Sequence, residues 1–441
     1  MARFGSLTLL AAAAGVLGQT TASDDRTTAT DSTATTSEDA TPTGVYLSYT
    51  SQITLGTDLG SVGNGATSIG TDNITRSTIS SSTSNTVTFL TGAAATTTTL
   101  SGNFSSTTPP TPSVTNTQPC NSYPEFCSRK YSNITYIACH NSPFITTNNL
   151  AANQQYDVTA QLNDGVRFLQ GQIQWPTGGN EPHFCHTSCD VLDAGPITDW
   201  LGKVKAWVAS HPYDVVTILL GNGNYSVPSL YVPYIEQTGI LRYVYTPPFV
   251  PMTLDDWPTL SEMVLRGQRV VMFMDYMANQ TAYPWLLDEF SQLWETPFDP
   301  TDQSFPCTVQ RPPNLAAADA KSRLYMINHN LNIELTILGS DMLVPARTEL
   351  NVTNNVTGYG SLGLSANNCR NEWDRAPNFL NVDYYNTGGY PGSVFEVAAQ
   401  MNNVTYDRQC CGVSTSGVDR LLASGGFAYL LVIMIFSWVF L

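Results

Sequence analysis

Two of the chain's five histidines, His140 and His186, lie 46 residues apart, and each sits in a short polar cluster. The first cluster reads Cys139-His140-Asn141-Ser142; the second reads Phe184-Cys185-His186-Thr187-Ser188-Cys189. An unperturbed imidazole titrates near 6.5, so two of them can supply a general base and a general acid to one reaction near neutrality. Far downstream, Asp383 stands in Asn381-Val382-Asp383-Tyr384-Tyr385 after an apolar run. Taken alone, an Asp at that kind of position is equally a turn former. Cys185 and Cys189 bracket His186 and can clip its loop as a disulfide. The rival reading, a metal site, has only one histidine within C-x-x-x-C, a poor zinc donor set.

These groups need elements that bring them together. His140 directly follows an apolar run, residues 134–139, that reads as a strand; the pair before His186 is a weaker strand signal. Between the histidines, residues 165–175 alternate. Val166, Phe168, Gln170, Gln172 and Gln174 share one side and Arg167, Leu169, Gly171, Ile173 and Trp175 the other. A face that turns from apolar to three amides suits a strand ending at the mouth of a pocket; a half-buried edge strand is the plainer alternative. Further strand-like runs cover residues 214–220, 270–274, 324–327 and 379–382. Residues 196–210 carry a helical stripe of Ile197, Trp200, Leu201, Val204, Trp207 and Val208. Such alternation predicts an α/β domain with a parallel sheet, closed or open. Asp275, Asn328 and His329 also fall at ends of apolar runs, where they either line the same mouth or are ordinary strand-end polar residues.

The order H-N-S, G-V-R-F-L-Q-G-Q, C-H-T and F-L-N-V-D-Y-Y resembles the X-domain barrel of phosphatidylinositol-specific phospholipase C, nearest its secreted fungal branch of PLC-like phosphodiesterases. The resemblance implies a TIM-type (β/α) barrel with its chemistry at the strand ends. It implies that His140 is the general base on the inositol 2-hydroxyl, His186 the acid for the leaving alkoxide, and Asp383 the carboxylate orienting His140. Asn141 matches a calcium-binding position of the eukaryotic enzymes, but Gln170 and Gln172 stand where those enzymes carry carboxylates. The bacterial enzymes hold the phosphate with an arginine at the position of Gln172. Asn141, Gln170, Gln172, Asp275 and His329 are therefore expected to bind substrate, and no cofactor is expected beyond weak calcium binding at most. A catalytically idle barrel that binds an inositol or wall glycan is the alternative.

The rest of the chain addresses this domain. Residues 1–22 have the charged, apolar and small-residue parts of a secretory signal. Residues 23–118 are nearly half Ser and Thr, which predicts a disordered stalk; its short apolar patches, such as residues 45–47, are the exceptions. The barrel is expected over residues 119–409. Residues 410–441 hold small residues, a spacer and a terminal apolar run from Phe427. That is a glycosylphosphatidylinositol attachment signal with Ser416 as the expected site; a single membrane helix is the alternative. Nine cysteines and eight N-x-S/T sequons suit an exported, disulfide-bonded glycoprotein, with an odd cysteine left over. The net charge of −16 with only 12% charged residues offers no basic stripe for nucleic acid. An extracellular cell-surface setting and a phosphoinositol lipid or glycolipid partner follow from these readings.

Overall fold

Eight short apolar stretches form the parallel strands of one sheet: β1 Tyr136–Cys139, β2 Phe168–Gln174, β3 Val216–Gly221, β4 Val270–Met274, β5 Leu286–Asp288, β6 Leu293–Glu295, β7 Leu324–Asn328 and β8 Phe379–Val382. The computed structural model describes residues 46–55, 118–145, 148–337, 340–389, 392–408 and 411. The expected signal segment, the anchor signal with Ser416 and most of the expected stalk lie outside these. Along the sheet the order is β6-β7-β8-β1-β2-β3-β4-β5, every pair parallel. The last strand therefore pairs with the first, and the sheet curls as a parallel half-barrel whose edge strands are β5 and β6. Among the described residues no pairing joins β5 to β6. They are linked by one four-residue helix, Glu289–Gln292, and this is the seam of the barrel.

Alternation along the strands divides the core into two layers. Ala138, Phe168, Leu219, Phe273, Leu287, Leu293, Met326 and Phe379 pack inside the barrel with Tyr131 and Trp257. Ile137, Leu169, Ile218, Met272, Trp294, Ile327 and Leu380 face the surrounding helices. One of those helices, Ile197–Ser210, buries all six residues of its apolar stripe. Fully burying a side chain of this size contributes roughly 1.5 to 3 kcal/mol. Helix Val158–Asp164 starts on Asp157, whose carboxylate accepts from Ala160 N–H, and stops at Gly165 in the left-handed region. Disulfides Cys120–Cys127, Cys185–Cys189 and Cys307–Cys369 tie loops to the body, Cys411 is also disulfide-bonded, and Cys139 is a buried thiol.

On the inner face each strand that reaches the mouth changes from apolar to polar toward its C-terminal end. Ala138 gives way to His140, Phe168 to Gln170 and Gln172, Phe273 to Asp275, Leu293 to Glu295, Met326 to Asn328, and Phe379 to Asn381 and Asp383. The floor is closed by aromatics, with Tyr131 against Tyr136 and Trp257. Polar chemistry is thus confined to one end.

The seam carries a titration of its own. Burial pushes the Asp288 carboxyl up to about 7, although its bonds from Ser291 hold it down. Stability from a raised carboxyl is complete below its unfolded value, 3.8, and is lost as pH rises through the folded value. Asp288→Asn keeps an acceptor for Ser291 N–H and removes this loss. The unfolding free energy of the variant relative to the parent is therefore expected to rise between pH 4 and 7.5 by up to about 4 kcal/mol. Denaturant titrations across that range measure it; a pH-independent difference would contradict the burial argument.

Candidate active site

His140 is the first residue after β1 and Asp383 the first after β8. Because β1 and β8 pair in register, with Val382 opposite Cys139, the two side chains emerge next to each other. His140 Nδ1 lies 2.8 Å from Asp383 Oδ1, and both residues are buried. Asn153 Nδ2 also donates to Asp383 Oδ1 at 2.9 Å. Gln154 Nε2 donates to the carbonyls of His140 and Val382, bridging the two strand ends. With Nδ1–H donated to the carboxylate, His140 is held as the tautomer whose Nε2 is free to take a proton. Asn141 Nδ2 lies 3.1 Å from that nitrogen, while Asn141 Oδ1 is buried without a partner. Turning this carboxamide over offers an acceptor to the imidazolium, so Asn141 can serve both protonation states of His140. Burial pushes the His140 pKa down, but the charge and hydrogen bond of Asp383 outweigh it and the net shift is upward.

His186 reaches the mouth from a different element. Beyond Gln172 the chain leaves the barrel as an antiparallel hairpin, His183–His186 against Leu192–Pro196, which pairs with the end of β2. Cys185 and Cys189 are bonded across its turn with Cα atoms 4.6 Å apart, and Gln174 Nε2 donates to the Cys185 and Thr187 carbonyls. The imidazole of His186 meets the edge of Phe144 at 5.2 Å, and its Nδ1 is 3.1 Å from Thr187 Oγ1. Burial, then the charge of His140, pushes its pKa down to about 4.

Around the histidines the inner face carries one connected polar layer. Asn381 Nδ2 donates to Gln170 Oε1 at 3.2 Å and to Asn328 Oδ1 at 3.0 Å. Asn328 Nδ2 donates to Glu295 Oε2, which also accepts from Arg311 Nη1 at 2.9 Å. Arg311 Nη2 then donates to the Tyr276 hydroxyl and stands 3.7 Å from Asp275 Oδ2. Asp299, held up by burial although His140 and Arg311 pull it down, lies close enough for His140 to feel its charge. Gln172 is half-buried, and its carboxamide lies over Gly221, where an added Cβ would come within 2.4 Å of it.

The sequence profile described as PI-PLC X 1 matches residues 126–402, well over half of the chain. The chain belongs to the PI-PLC X family. It is 53% identical over 305 residues to an uncharacterized secreted protein of Arthroderma benhamiae, covering 69% of each chain. It is 38% identical over 271 residues to PI-PLC X domain-containing protein 1 of the same organism, covering 61% of this chain and 86% of that one. Among solved structures, phosphatidylinositol-specific phospholipase C from Listeria monocytogenes aligns with a TM-score of 0.44 at 12% identity, over 65% of this chain and 97% of that one.

Two members of the expected substrate-binding set take other duties in this PI-PLC X protein. His329 is turned away: its Nε2 faces the Thr353 carbonyl at 3.0 Å, its ring packs on Phe305, and burial pushes its pKa down to about 3. A neutral, packed imidazole cannot supply charge to a substrate, so this expectation is corrected. Asp275 does come to the mouth, but Oδ1 accepts from the N–H groups of Asn222 and Tyr276, and Oδ2 faces Arg311. Its role is to hold loop ends together. The calcium donor set is also incomplete. Asn141 Oδ1 and Asp383 Oδ2 are open, but Gln170 Oε1 is taken by Asn381 and Asp383 Oδ1 is taken by His140 and Asn153. Among the described residues no cluster of three His, Cys, Asp or Glu is placed to hold a metal. The residues present do not fit a calcium ion. Asn153, Gln154, Glu295, Asp299 and Arg311 were not legible as site residues. They sit in loops or in a three-residue strand, where amides and charges look like ordinary surface.

Proposed function

We propose that the protein is an extracellular, cell-surface phosphoric diester hydrolase that cleaves a phosphoinositol-containing lipid or glycolipid by proton transfer through His140 and His186. The observation that carries this reading is the buried His140–Asp383 pair, with His186 on the disulfide-clipped hairpin that pairs with the end of β2. His140 Nε2 takes the proton of an inositol hydroxyl as that oxygen bonds to phosphorus. The bond from phosphorus to the lipid alkoxide breaks, and His186 delivers its proton to the departing oxygen. The products are a cyclic phosphodiester and the free lipid alcohol. Asn141 and Gln172 supply neutral donors to the charge that develops on phosphate, each a weaker stabiliser than a cation. Secretion is supported by the secreted relative and the apolar start of the chain. Attachment through a lipid at Ser416 rests on the composition of the last residues alone. Among the described residues no helix is long and apolar enough to cross a membrane.

The idle-barrel reading is favoured by one specific feature: Gln170 and Gln172 are uncharged, and Arg311 is already paired with Glu295. Turnover of phosphatidylinositol and of inositol phosphoceramide, with calcium and with chelator, separates the two. Slow release of phosphorylated inositol that chelator leaves unchanged is the expected result. Binding of an inositol ligand without any release would favour the idle barrel.

A further inference from the structure

The seam between β5 and β6 is covered by a piece of the Ser/Thr-rich stretch. Residues 46–55 lie within the expected stalk, yet they pack on the barrel at both ends. Ile53–Thr54 pairs antiparallel with Phe249–Val250, Leu55 N–H donates to the Pro248 carbonyl at 2.9 Å, and Leu55 is buried. The segment it pairs with is itself fastened to the seam helix, since Met252 N–H donates to Gln292 Oε1 at 2.9 Å. At the other end the Tyr46 ring stands edge-on to Phe290 of the same helix, centroids 4.8 Å apart, and to Tyr276 at 5.7 Å. The Tyr46 and Tyr276 hydroxyls are 3.5 Å apart, and Tyr276 accepts from Arg311, the cation of the polar layer.

We propose that residues 46–55 form a strap that closes the barrel seam and, through Tyr46 and Tyr276, positions Arg311 at the mouth. Two strands that do not pair leave backbone edges and the seam helix open to water, and a covering segment is one of the ways a fold protects such an edge. Tyr46, from one of the stretch's short apolar patches, thereby has a structural use.

The test uses the full exported chain with a protease site inserted within residues 56–117. After cutting, the fragment that carries residues 46–55 is expected to co-elute with the barrel in gel filtration. Amide exchange over residues 286–295 is expected to stay slow. In Tyr46→Ala/Leu55→Asp the cut fragment is expected to leave, and exchange over 286–295 to rise at least about tenfold. Positioning is read separately by NMR titration of the Asp275 carboxyl, which burial holds at about 6. Its midpoint is expected to fall in Tyr46→Ala as water enters and to be restored in Tyr46→Phe, which keeps the ring. Loss of the parent fragment on cutting, or unchanged exchange in the double variant, would overturn the strap. An unmoved Asp275 midpoint would overturn the positioning role. None of these readouts needs turnover, so they stand or fall apart from the phosphodiesterase reading.

Discussion

Replacing His140 by Ala is expected to lower phosphodiesterase turnover by about 10² to 10⁴, with His186→Ala of similar size, because each removes a positioned proton carrier. Far-ultraviolet circular dichroism and the thermal midpoint should stay near those of the parent. His140 contributes little to the apolar layers, and its removal lets water reach Asp383. The pH profile gives a sharper check than the rate. His140 must be unprotonated to act as base and His186 protonated to act as acid, so activity should fall on the acid side with His140 and on the alkaline side with His186, whose pKa burial and the charge of His140 push down. Asp383 holds the His140 pKa above its ordinary value against burial. Asp383→Asn removes that charge and should move the limb belonging to His140 to lower pH, in addition to slowing the reaction. A His140→Ala protein that retains near-full turnover would show that the buried pair serves the fold alone.

Arg311→Met is expected to destabilise the protein by about 3 to 5 kcal/mol, the usual cost of removing one partner from a buried ion pair. The guanidinium is enclosed by the Tyr276, Phe290 and Phe298 rings and bonds Glu295, with Asp275 near by. Without it the Glu295 carboxylate has only Asn328 Nδ2 for company in a site sealed from water. Part of the loss comes from the stranded charge and not from the missing bonds, so Arg311→Met/Glu295→Gln should recover a measurable share of it. Denaturant midpoints of the single and double variants decide this. A double variant no more stable than Arg311→Met would mean that the ring contacts of Arg311 outweigh its charge.

Much of this protein was open to reading before any coordinates. β4 and β8 coincide with the expected runs, and β1, β2, β3 and β7 fall within a few residues of theirs. A strand buried on both faces and bounded by polar turns leaves an apolar run that local inspection finds. Helix Ile197–Ser210 was equally plain, because its stripe repeats at the helical period for four turns. The histidines and Asp383 were found by their order along the chain. Three residues of β5 and three of β6 carry no period to detect, and sequence alternation does not distinguish a closed sheet from an open one. The strand order of the curled sheet was decided by long-range pairing such as that of β8 with β1, which brings together residues 243 positions apart at its end, His140 and Asp383. The same long-range pairing determined which amides and charges share the mouth. Asn153, Gln154, Glu295, Asp299 and Arg311 are polar residues of common types, and only burial at one end of a barrel makes them partners. Residues 46–55 show the limit most clearly. Composition placed them in a stalk, because a Ser/Thr-rich segment cannot build a core of its own; the barrel supplies the apolar surface that the segment lacks.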